Sequence, residues 1–407
     1  MSKNTIFSGQ PIFTQLLSLI PDRIIMQLVL KYQSDKYCKT FDSKHHLVTL
    51  LFGIINQCTS LREVVTGLQV ATSKQGHFKL VHDICRSTLA DANKRRPEAF
   101  FGELFHELYR FHYGLPDSRK IKPRQPYEKR LFIIDSTTIK LFHDVLKGAG
   151  SIPSSGKRKG GLKAHVMIKA TEDTPCLVNL TASSANDRVF LKYVDLPKGS
   201  IITFDKGYAN FRKFEQWTLL GINWVSRVLD RWIIQVEKQN PVSGQQSLRG
   251  VISDELVTLG DPKNNNTLKI RARIIKFIDP ETKKILRFVT NNTRFQPTTI
   301  ANIYKQRWQI ELLFKRIKQR YPLRYFFGES ENAIKVQVWC ALIADLLIKI
   351  IQDKATKKWA YSNLSSIVKL HLMTYVNLLS FLNNPDKVLR KYKPVEPVYQ
   401  LNLFNSA

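Results

Sequence analysis

Two short runs of β-branched and aromatic residues, each followed by an aspartate, constrain the fold most strongly. The first run, residues 131–134, precedes Asp135, and the second, residues 201–204, precedes Asp205. Near-continuous apolar strands are typical of sheets covered on both faces, where ligands gather at the strand ends. The sequence therefore predicts an α/β fold that delivers two acids from a buried sheet. Either aspartate alone also fits a residue that caps local backbone.

A helix is predicted around residues 303–318, in the stretch YKQRWQIELLFKRIKQ. At about 100° per residue, four side chains share a stripe roughly 60° wide: Tyr304, Arg307, Glu311 and Lys318. Apolar residues gather on another side: Ile303, Ile310, Leu313, Phe314 and Ile317. One carboxylate among cations and a phenol suits a metal ion held beside a phosphate. A solvated amphipathic helix has the same pattern. The stripe therefore indicates a functional site only when it is considered together with the two aspartates.

The order and spacing of these residues resemble the DDE transposases of bacterial insertion sequences, specifically the insertion-sequence-4 group with its Tyr-Arg-Glu-Lys signature. Asp135 in IIDST and Asp205 in TFDKGY match the first and second catalytic motifs of that family. The resemblance spans most of the chain and includes LLSLIP, SLREVV and RSTLADANKRRP near its start. It implies a ribonuclease-H-like catalytic core in which Asp135, Asp205 and Glu311 hold two Mg²⁺ or Mn²⁺ ions. The implied reaction is DNA cleavage followed by strand transfer, as in cut-and-paste transposition.

The resemblance also implies which residues contact DNA. Arg307 and Lys318 would contact phosphates, and Tyr304 would position backbone or DNA. Lys163 and His165 resemble the second-strand pattern of the family, where the histidine packs or contacts DNA rather than binding a metal.

The charge of the chain indicates a polyanionic partner. Lysine and arginine number 63 against 33 acids, a formal net charge of +30. Binding to DNA should weaken by about 10³ to 10⁵ between 50 and 200 mM salt for six to ten phosphate contacts. Ribosomal and membrane-surface proteins are also basic. The acids favour double-stranded DNA, namely transposon ends and target, because carboxylates in a positive groove repel phosphate unless a cation bridges them.

The chain of 407 residues is long enough for several domains. Residues 1–120 are predicted to form a helical DNA-binding region, in which Lys94, Arg95 and Arg96 are candidate DNA contacts, although a basic helix face is often only solvated. Residues 127–330 would form the catalytic domain, and residues 331–407 a helical region that supports a homodimer on DNA in relatives.

An inserted antiparallel β subdomain is predicted at about 222–298, because the distance from Asp205 to Glu311 exceeds one crossover. Apolar and basic positions alternate there, which predicts one basic face: Leu268, Ile270, Ala272 and Ile274 against Lys269, Arg271 and Arg273. In relatives this insertion holds the transposon end through a hairpin intermediate. Trp232 or Phe288 would replace the tryptophan that stacks on a base in one relative.

The remaining features bear on compartment and on competing functions. Five unclustered cysteines indicate neither a disulfide framework nor a zinc ribbon, and the start of the chain has no signal-peptide pattern. We therefore expect a cytoplasmic bacterial protein with no membrane partner. Two other functions fit the same residues: a metal-dependent DNA nuclease without strand transfer, and a catalytically silent DNA-binding descendant. The intact set of three acids argues against the second.

Overall fold

The computed structural model describes residues 9–71, 77, 84–114, 123–140, 161–260, 268–321 and 323–385. Contacts divide the chain into two units, residues 1–88 with 343–407 and residues 89–342. The helices are α1 (Ile12–Leu17), α2 (Asp22–Tyr32), α3 (Ser43–Ile55), α4 (Leu61–Val70), α5 (Arg86–Arg95), α6 (Glu98–Tyr113), α7 (Phe211–Leu219), α8 (Gly244–Leu248), α9 (Pro297–Lys305), α10 (Trp308–Arg320), α11 (Glu331–Lys354), α12 (Tyr361–Leu370) and α13 (Leu378–Asn383). The strands are β1 (Leu131–Lys140), β2 (Gly161–Lys169), β3 (Pro175–Ala182), β4 (Ile201–Phe204), β5 (Asn223–Arg227), β6 (Ile234–Gln239), β7 (Val251–Leu259), β8 (Ile270–Ile278) and β9 (Ile285–Thr290).

Across the described ranges, nine strands form a single sheet in the order β3-β2-β1-β4-β5-β9-β8-β7-β6. Strands β1, β2 and β3 pair antiparallel, whereas β4 and β5 run parallel to β1. These five strands form the ribonuclease-H-like core. Strands β5 to β9 are joined by antiparallel pairings. The predicted α/β fold with an antiparallel insertion is confirmed, and the inserted strands continue the core sheet.

The two apolar runs form the centre of this sheet because their side chains are buried on both faces. Ile133 and Ile201 lie on one face, Ile202 and Phe204 lie on the other, and all four are fully buried. Helix α7 covers the sheet through Phe214, whose ring stacks on Trp224 with the centroids 4.1 Å apart. Burying an aromatic or branched aliphatic side chain contributes about 1.5–3 kcal/mol. The core is therefore strongest where β4 ends, next to the position of the second acid.

The unit formed by residues 1–88 and 343–407 joins both ends of the described chain. The backbone of α1 begins by donating to carbonyls near residue 372, with Phe13 N to Leu372 O at 2.8 Å. The buried amide of Gln15 donates to Val376 O at 2.7 Å and accepts from Leu378 N at 2.9 Å. These bonds satisfy the polar groups of a buried segment. Among the described helices, none has the length and apolar run that a bilayer crossing requires.

Candidate active site

The register of two parallel strands brings the two aspartates to adjacent positions. Strands β1 and β4 pair up to Ile134 opposite Phe204, so the next residues are Asp135 and Asp205. Neighbouring strands lie about 4.8 Å apart. Asp135 is not at the end of its strand, because β1 runs on and pairs with β2 as far as Lys140. The acid instead marks the end of the parallel pairing.

Local hydrogen bonds hold each aspartate. Asp135 Oδ1 accepts from the Ser136 backbone N–H at 2.8 Å. Asp205 caps the 3-10 turn of residues 206–208, with Oδ2 accepting from Gly207 N at 3.1 Å. The capping role weighed for a single aspartate is thus present at Asp205, and it coexists with a place in the acidic cluster.

The guanidinium of Arg307 bridges two of the three candidate acids. Its Nη1 lies 2.9 Å from Asp135 Oδ2, and its Nη2 lies 2.5 Å from Glu311 Oε1. The Arg307 side chain is 18% exposed. Within the described part of the chain, its buried Nε has no hydrogen-bond acceptor. The structure therefore gathers Asp135 and Glu311 around one cation, next to the strand end that carries Asp205.

The single helix predicted for this stretch is wrong, because α9 ends at Lys305 and α10 begins at Trp308. At the junction the backbone bonds tighten to 3-10 spacing, with Arg307 N donating to Tyr304 O at 3.0 Å. Residues three apart eclipse one another in that geometry. The Arg307 guanidinium consequently lies over the Tyr304 ring, 5.8 Å from its centroid.

The predicted apolar seam of this segment is buried, and α10 packs against β1. Tyr304 itself is 9% exposed, and its ring lies 5.1 Å from that of Phe288. The Tyr304 ring therefore contacts both Phe288 and the Arg307 guanidinium. Lys318 is exposed on α10, two turns or about 10 Å along the helix from Glu311.

The three acids share one electrostatic environment. Burial is the main cause that raises the pKa of the Asp135 carboxyl to about 6. The negative charges of Asp205 and Glu311 act in the same direction, whereas the Ser136 N–H and the Arg307 guanidinium oppose them. The charges of Asp205 and Glu311 thus repel that of Asp135, so the cluster favours a cation.

The donor chemistry fits a divalent cation. Two aspartates and a glutamate supply hard oxygen ligands of the kind that Mg²⁺ and Mn²⁺ prefer. Among the described residues, no three histidine, cysteine, aspartate or glutamate side chains form a ready metal-binding group. Arg307 takes the place between Asp135 and Glu311 in this conformation, and its guanidinium must move before an ion can contact both.

Two of the predicted DNA contacts lie inside the protein. His165 is fully buried, with Nε2 2.9 Å from Thr181 Oγ1. Burial lowers its pKa to about 4, so the ring is neutral at pH 7. A buried, neutral ring fits the packing alternative, and the contact of His165 with DNA stays a prediction. Lys163 Nζ donates to Ala185 O at 2.8 Å and to Asp187 Oδ1 at 3.2 Å, which turns its charge inward.

The basic cluster at the end of α5 divides in the same way. Lys94 and Arg95 are exposed, and Arg95 pairs with Asp91 at 2.6 Å. Arg96 is only 4% exposed, so it is buried in this structure, and its contact with DNA stays a prediction. A run of basic residues on a helix cannot all face the same side.

The insertion also differs from its predicted basic face. Arg271 is exposed, but Arg273 is buried, with Nε 2.7 Å from Asp254 Oδ1 and Nη2 2.6 Å from Oδ2. Phe288 is 2% exposed and offers no open ring for a base. Trp232 is partly exposed and packs on Phe211, with the centroids 5.2 Å apart.

The comparison with known protein families shows which family the chain belongs to. A family model described as a transposase DDE domain matches residues 126–347, over half of the chain. The chain belongs to the DDE transposase family. That matched region contains all three candidate acids of this transposase. A second family model, a domain of unknown function (DUF4372), matches residues 8–78.

Relatives of this transposase family member include named insertion-sequence proteins. The putative transposase y4zB of Sinorhizobium fredii is 32% identical over 267 residues, 64% of this chain and 70% of that protein. The probable transposase for element IS5377 of Geobacillus stearothermophilus is 28% identical over 251 residues, 61% and 64% of the two chains. The putative transposase for element IS4SA of a Synechocystis strain is 24% identical over 306 residues, 70% and 78%.

The chain is similar to one solved structure, a cryo-EM synaptic complex of the piggyBac transposase with hairpin DNA. The TM-score is 0.45 at 12% sequence identity, and the match covers 96% of this chain and 85% of that chain.

Sequence reasoning missed Asp187, which lies beside the acids of this transposase. Ser136 Oγ donates to its Oδ1 at 2.9 Å. Asp187 follows the polar stretch SSAN rather than an apolar run, so no strand-end pattern points to it. The pairing of β2 with β1, a long-range contact, brings its partner Lys163 to the site.

Proposed function

We propose that this chain is a transposase that binds the inverted-repeat ends of its insertion sequence and catalyses metal-dependent DNA cleavage and strand transfer. The arrangement of the acids is the main support. Asp135 and Glu311 share one guanidinium, while Asp205 follows the strand that pairs with β1. Such a set of half-buried carboxylates, in a chain of the DDE transposase family, is best explained by chemistry on a phosphodiester.

In the proposed mechanism, Asp135, Asp205 and Glu311 hold two Mg²⁺ or Mn²⁺ ions. When bound, divalent ions supply the Lewis acidity that activates an attacking oxygen and stabilises the leaving 3′ oxygen. The three side chains act as ionised acceptors, and Ser136 N–H orients Asp135 for this role. No covalent protein intermediate is required, because the attacker is first water and then the freed 3′ hydroxyl.

Arg307 has two roles in this proposal. In the chain without DNA it neutralises Asp135 and Glu311. With DNA bound, the same planar donors would bind a phosphate oxygen pair, which guanidinium groups recognise in bidentate fashion. Lys318, further along the exposed side of α10, would contact the next phosphates.

Double-stranded DNA is the proposed partner, both as transposon ends and as target. The net charge of +30 supports a large electrostatic contribution to binding. Exposed basic residues are available for backbone contacts on both α5 and the insertion, including Lys94, Arg95 and Arg271. A homodimer that pairs two ends remains part of the proposal.

Three substitutions test the catalytic assignment: Asp135→Asn, Asp205→Asn and Glu311→Gln. Each should abolish Mn²⁺-dependent cleavage of a labelled duplex that carries an inverted-repeat end, while binding of that duplex persists. Asp173→Asn is the matched control, because Asp173 pairs at 2.8 Å with Arg316, which lies on α10 five residues beyond Glu311. Unchanged cleavage in all three variants would refute the assignment.

Strand transfer separates the proposed function from a nuclease. Incubation of the wild-type protein with paired ends and a target plasmid should yield joined products. Cleavage without joined products would favour the nuclease instead.

A further inference from the structure

A fourth carboxylate, Asp187, lies beside the proposed catalytic acids and has no role in the mechanism above. It begins the 3-10 turn Asp187–Tyr193, and its side chain is 30% exposed. Its Oδ1 accepts from Ser136 Oγ at 2.9 Å and from Lys163 Nζ at 3.2 Å, and His165 Nδ1 lies 3.7 Å from the same oxygen. A carboxylate with three polar neighbours from two strands is held in a defined position.

Asp187 reaches Asp135 through one residue. Ser136 uses its hydroxyl to donate to Asp187 and its backbone N–H to donate to Asp135 Oδ1, at 2.9 and 2.8 Å. A displacement of Asp187 therefore moves Ser136, which supplies the hydrogen bond that orients Asp135.

Asp187 also borders Asp205 across Gly207. A Cβ added at Gly207 would lie 3.6 Å from Oδ2 of Asp187 and 3.6 Å from Oδ2 of Asp205. Both carboxylates thus face the same small space above the glycine. Asp187 therefore touches the surroundings of both Asp135 and Asp205.

Lys163 balances the charge of Asp187 and fixes its place. The ammonium donates to Ala185 O as well as to Asp187, and its side chain is only 15% exposed. Lys163 therefore links strand β2 both to the loop that precedes the 3-10 turn and to the carboxylate of Asp187. An ammonium used in this way is turned away from DNA.

We propose that Asp187 is a positioning residue for DNA cleavage: anchored by Lys163, its carboxylate fixes Ser136 and thereby the orientation of Asp135 beside Asp205. The inference rests on the proposed function. It identifies neither a metal ligand nor a DNA contact at Asp187, since its role is exerted through Ser136.

Single-turnover cleavage by preformed protein–DNA complexes in saturating Mn²⁺ tests this role. Asp187→Ala should lower the cleavage rate constant about 10- to 100-fold, the effect usual for residues that orient metal-binding side chains. The affinity for the DNA end should stay within about twofold, because Asp187 contacts no phosphate in the proposal. Mn²⁺ affinity, measured by electron paramagnetic resonance without DNA, should weaken in parallel.

The Ser136 pair of variants isolates the hydroxyl. Ser136→Ala removes the link to Asp187 but keeps the backbone N–H, and it should slow cleavage. Ser136→Thr retains a hydroxyl on a strand residue and should restore most of the rate. This pair decides the question even where Asp187→Ala fails to fold.

Lys163→Met separates positioning from DNA contact. A positioning role predicts slower cleavage with unchanged DNA affinity and an unchanged salt slope. A fall in affinity with a salt slope lower by about one, at a normal single-turnover rate, would overturn the inference.

The control is Asp173→Ala, which removes the ion pair with Arg316 at 2.8 Å. It should lower thermal stability and leave the cleavage rate unchanged. If the wild type cleaves and Asp187→Ala cleaves equally fast, the proposed role of Asp187 is overturned but the proposed function is not. A wild-type protein that cleaves no transposon-end DNA would overturn the proposed function itself.

Discussion

The imidazole of His106 makes the stability of the catalytic unit sensitive to acid. Its Nε2 accepts the backbone N–H of Val178, on edge strand β3, at 3.1 Å. The ring also makes a hydrogen bond with the Gly102 backbone, one turn earlier in α6. Protonation would place a second ring N–H against the Val178 N–H. The neutral ring therefore joins α6 to the edge of the sheet, and the charged ring breaks that joint.

The size of the effect follows from the pKa of His106. Burial lowers this pKa from its ordinary value of 6.5 to about 4. The folded state thus binds the proton less tightly than the unfolded state. The stability contributed by the neutral ring is complete above pH 6.5 and is lost as the pH falls towards 4. At 1.36 kcal/mol per pKa unit, the loss is about 2 kcal/mol at pH 5 and about 3 kcal/mol at pH 4.

Urea unfolding of the wild type and of His106→Gln, from about pH 8 to about pH 4, measures this loss. The glutamine carbonyl can accept from Val178 but does not titrate. We expect the variant to be less stable by about 1 kcal/mol at pH 7, because its fit is poorer. It should become the more stable protein near pH 4, because glutamine does not titrate and only the wild type loses stability through residue 106. The contributions of other titrating groups cancel when the two proteins are compared. Parallel profiles for the two proteins would refute the reasoning.

Three further substitutions have expected outcomes. Arg273→Met leaves the Asp254 carboxylate buried without its cation and should cost about 3–5 kcal/mol of unfolding free energy, measured by urea denaturation. Gly102→Ala places a Cβ 2.9 Å from two ring carbons of Trp339, so it should lower stability by about 1–3 kcal/mol despite the better helix propensity of alanine. Lys318→Ala should weaken DNA binding and reduce the salt slope by about one in fluorescence anisotropy titrations, whereas an unchanged slope would exclude a phosphate contact.

The sheet and the two aspartates that follow its apolar runs could be predicted from the sequence because a local pattern indicates them. Runs such as residues 131–134 are apolar on both sides, and only a covered sheet satisfies them. The register that aligns Asp135 with Asp205 could not be predicted in the same way. It depends on a pairing between segments far apart in the chain, which no local pattern contains.

The errors concern polar residues whose partners are remote in sequence. Strict alternation put Arg271 and Arg273 on one exposed face, but Asp254 on the neighbouring strand β7 draws Arg273 into the interior. Arg96 was expected to contact DNA as part of a basic helix face, yet it is buried. Burial of a polar group depends on the hydrogen bonds that meet it after folding.

The pairing of β5 with β9 has a consequence for how this protein can change. The chain departs from the core after Arg227 and re-enters beside it at Phe288, which sits opposite Arg227 in the ladder. An excursion whose two ends already touch can grow or shrink at little entropic cost, about 0.6 kcal/mol for each doubling of its length. The arm formed by β6 to β8 can therefore gain or lose residues at little cost to the stability of the core. Its size and charge can change while the acidic cluster keeps its geometry.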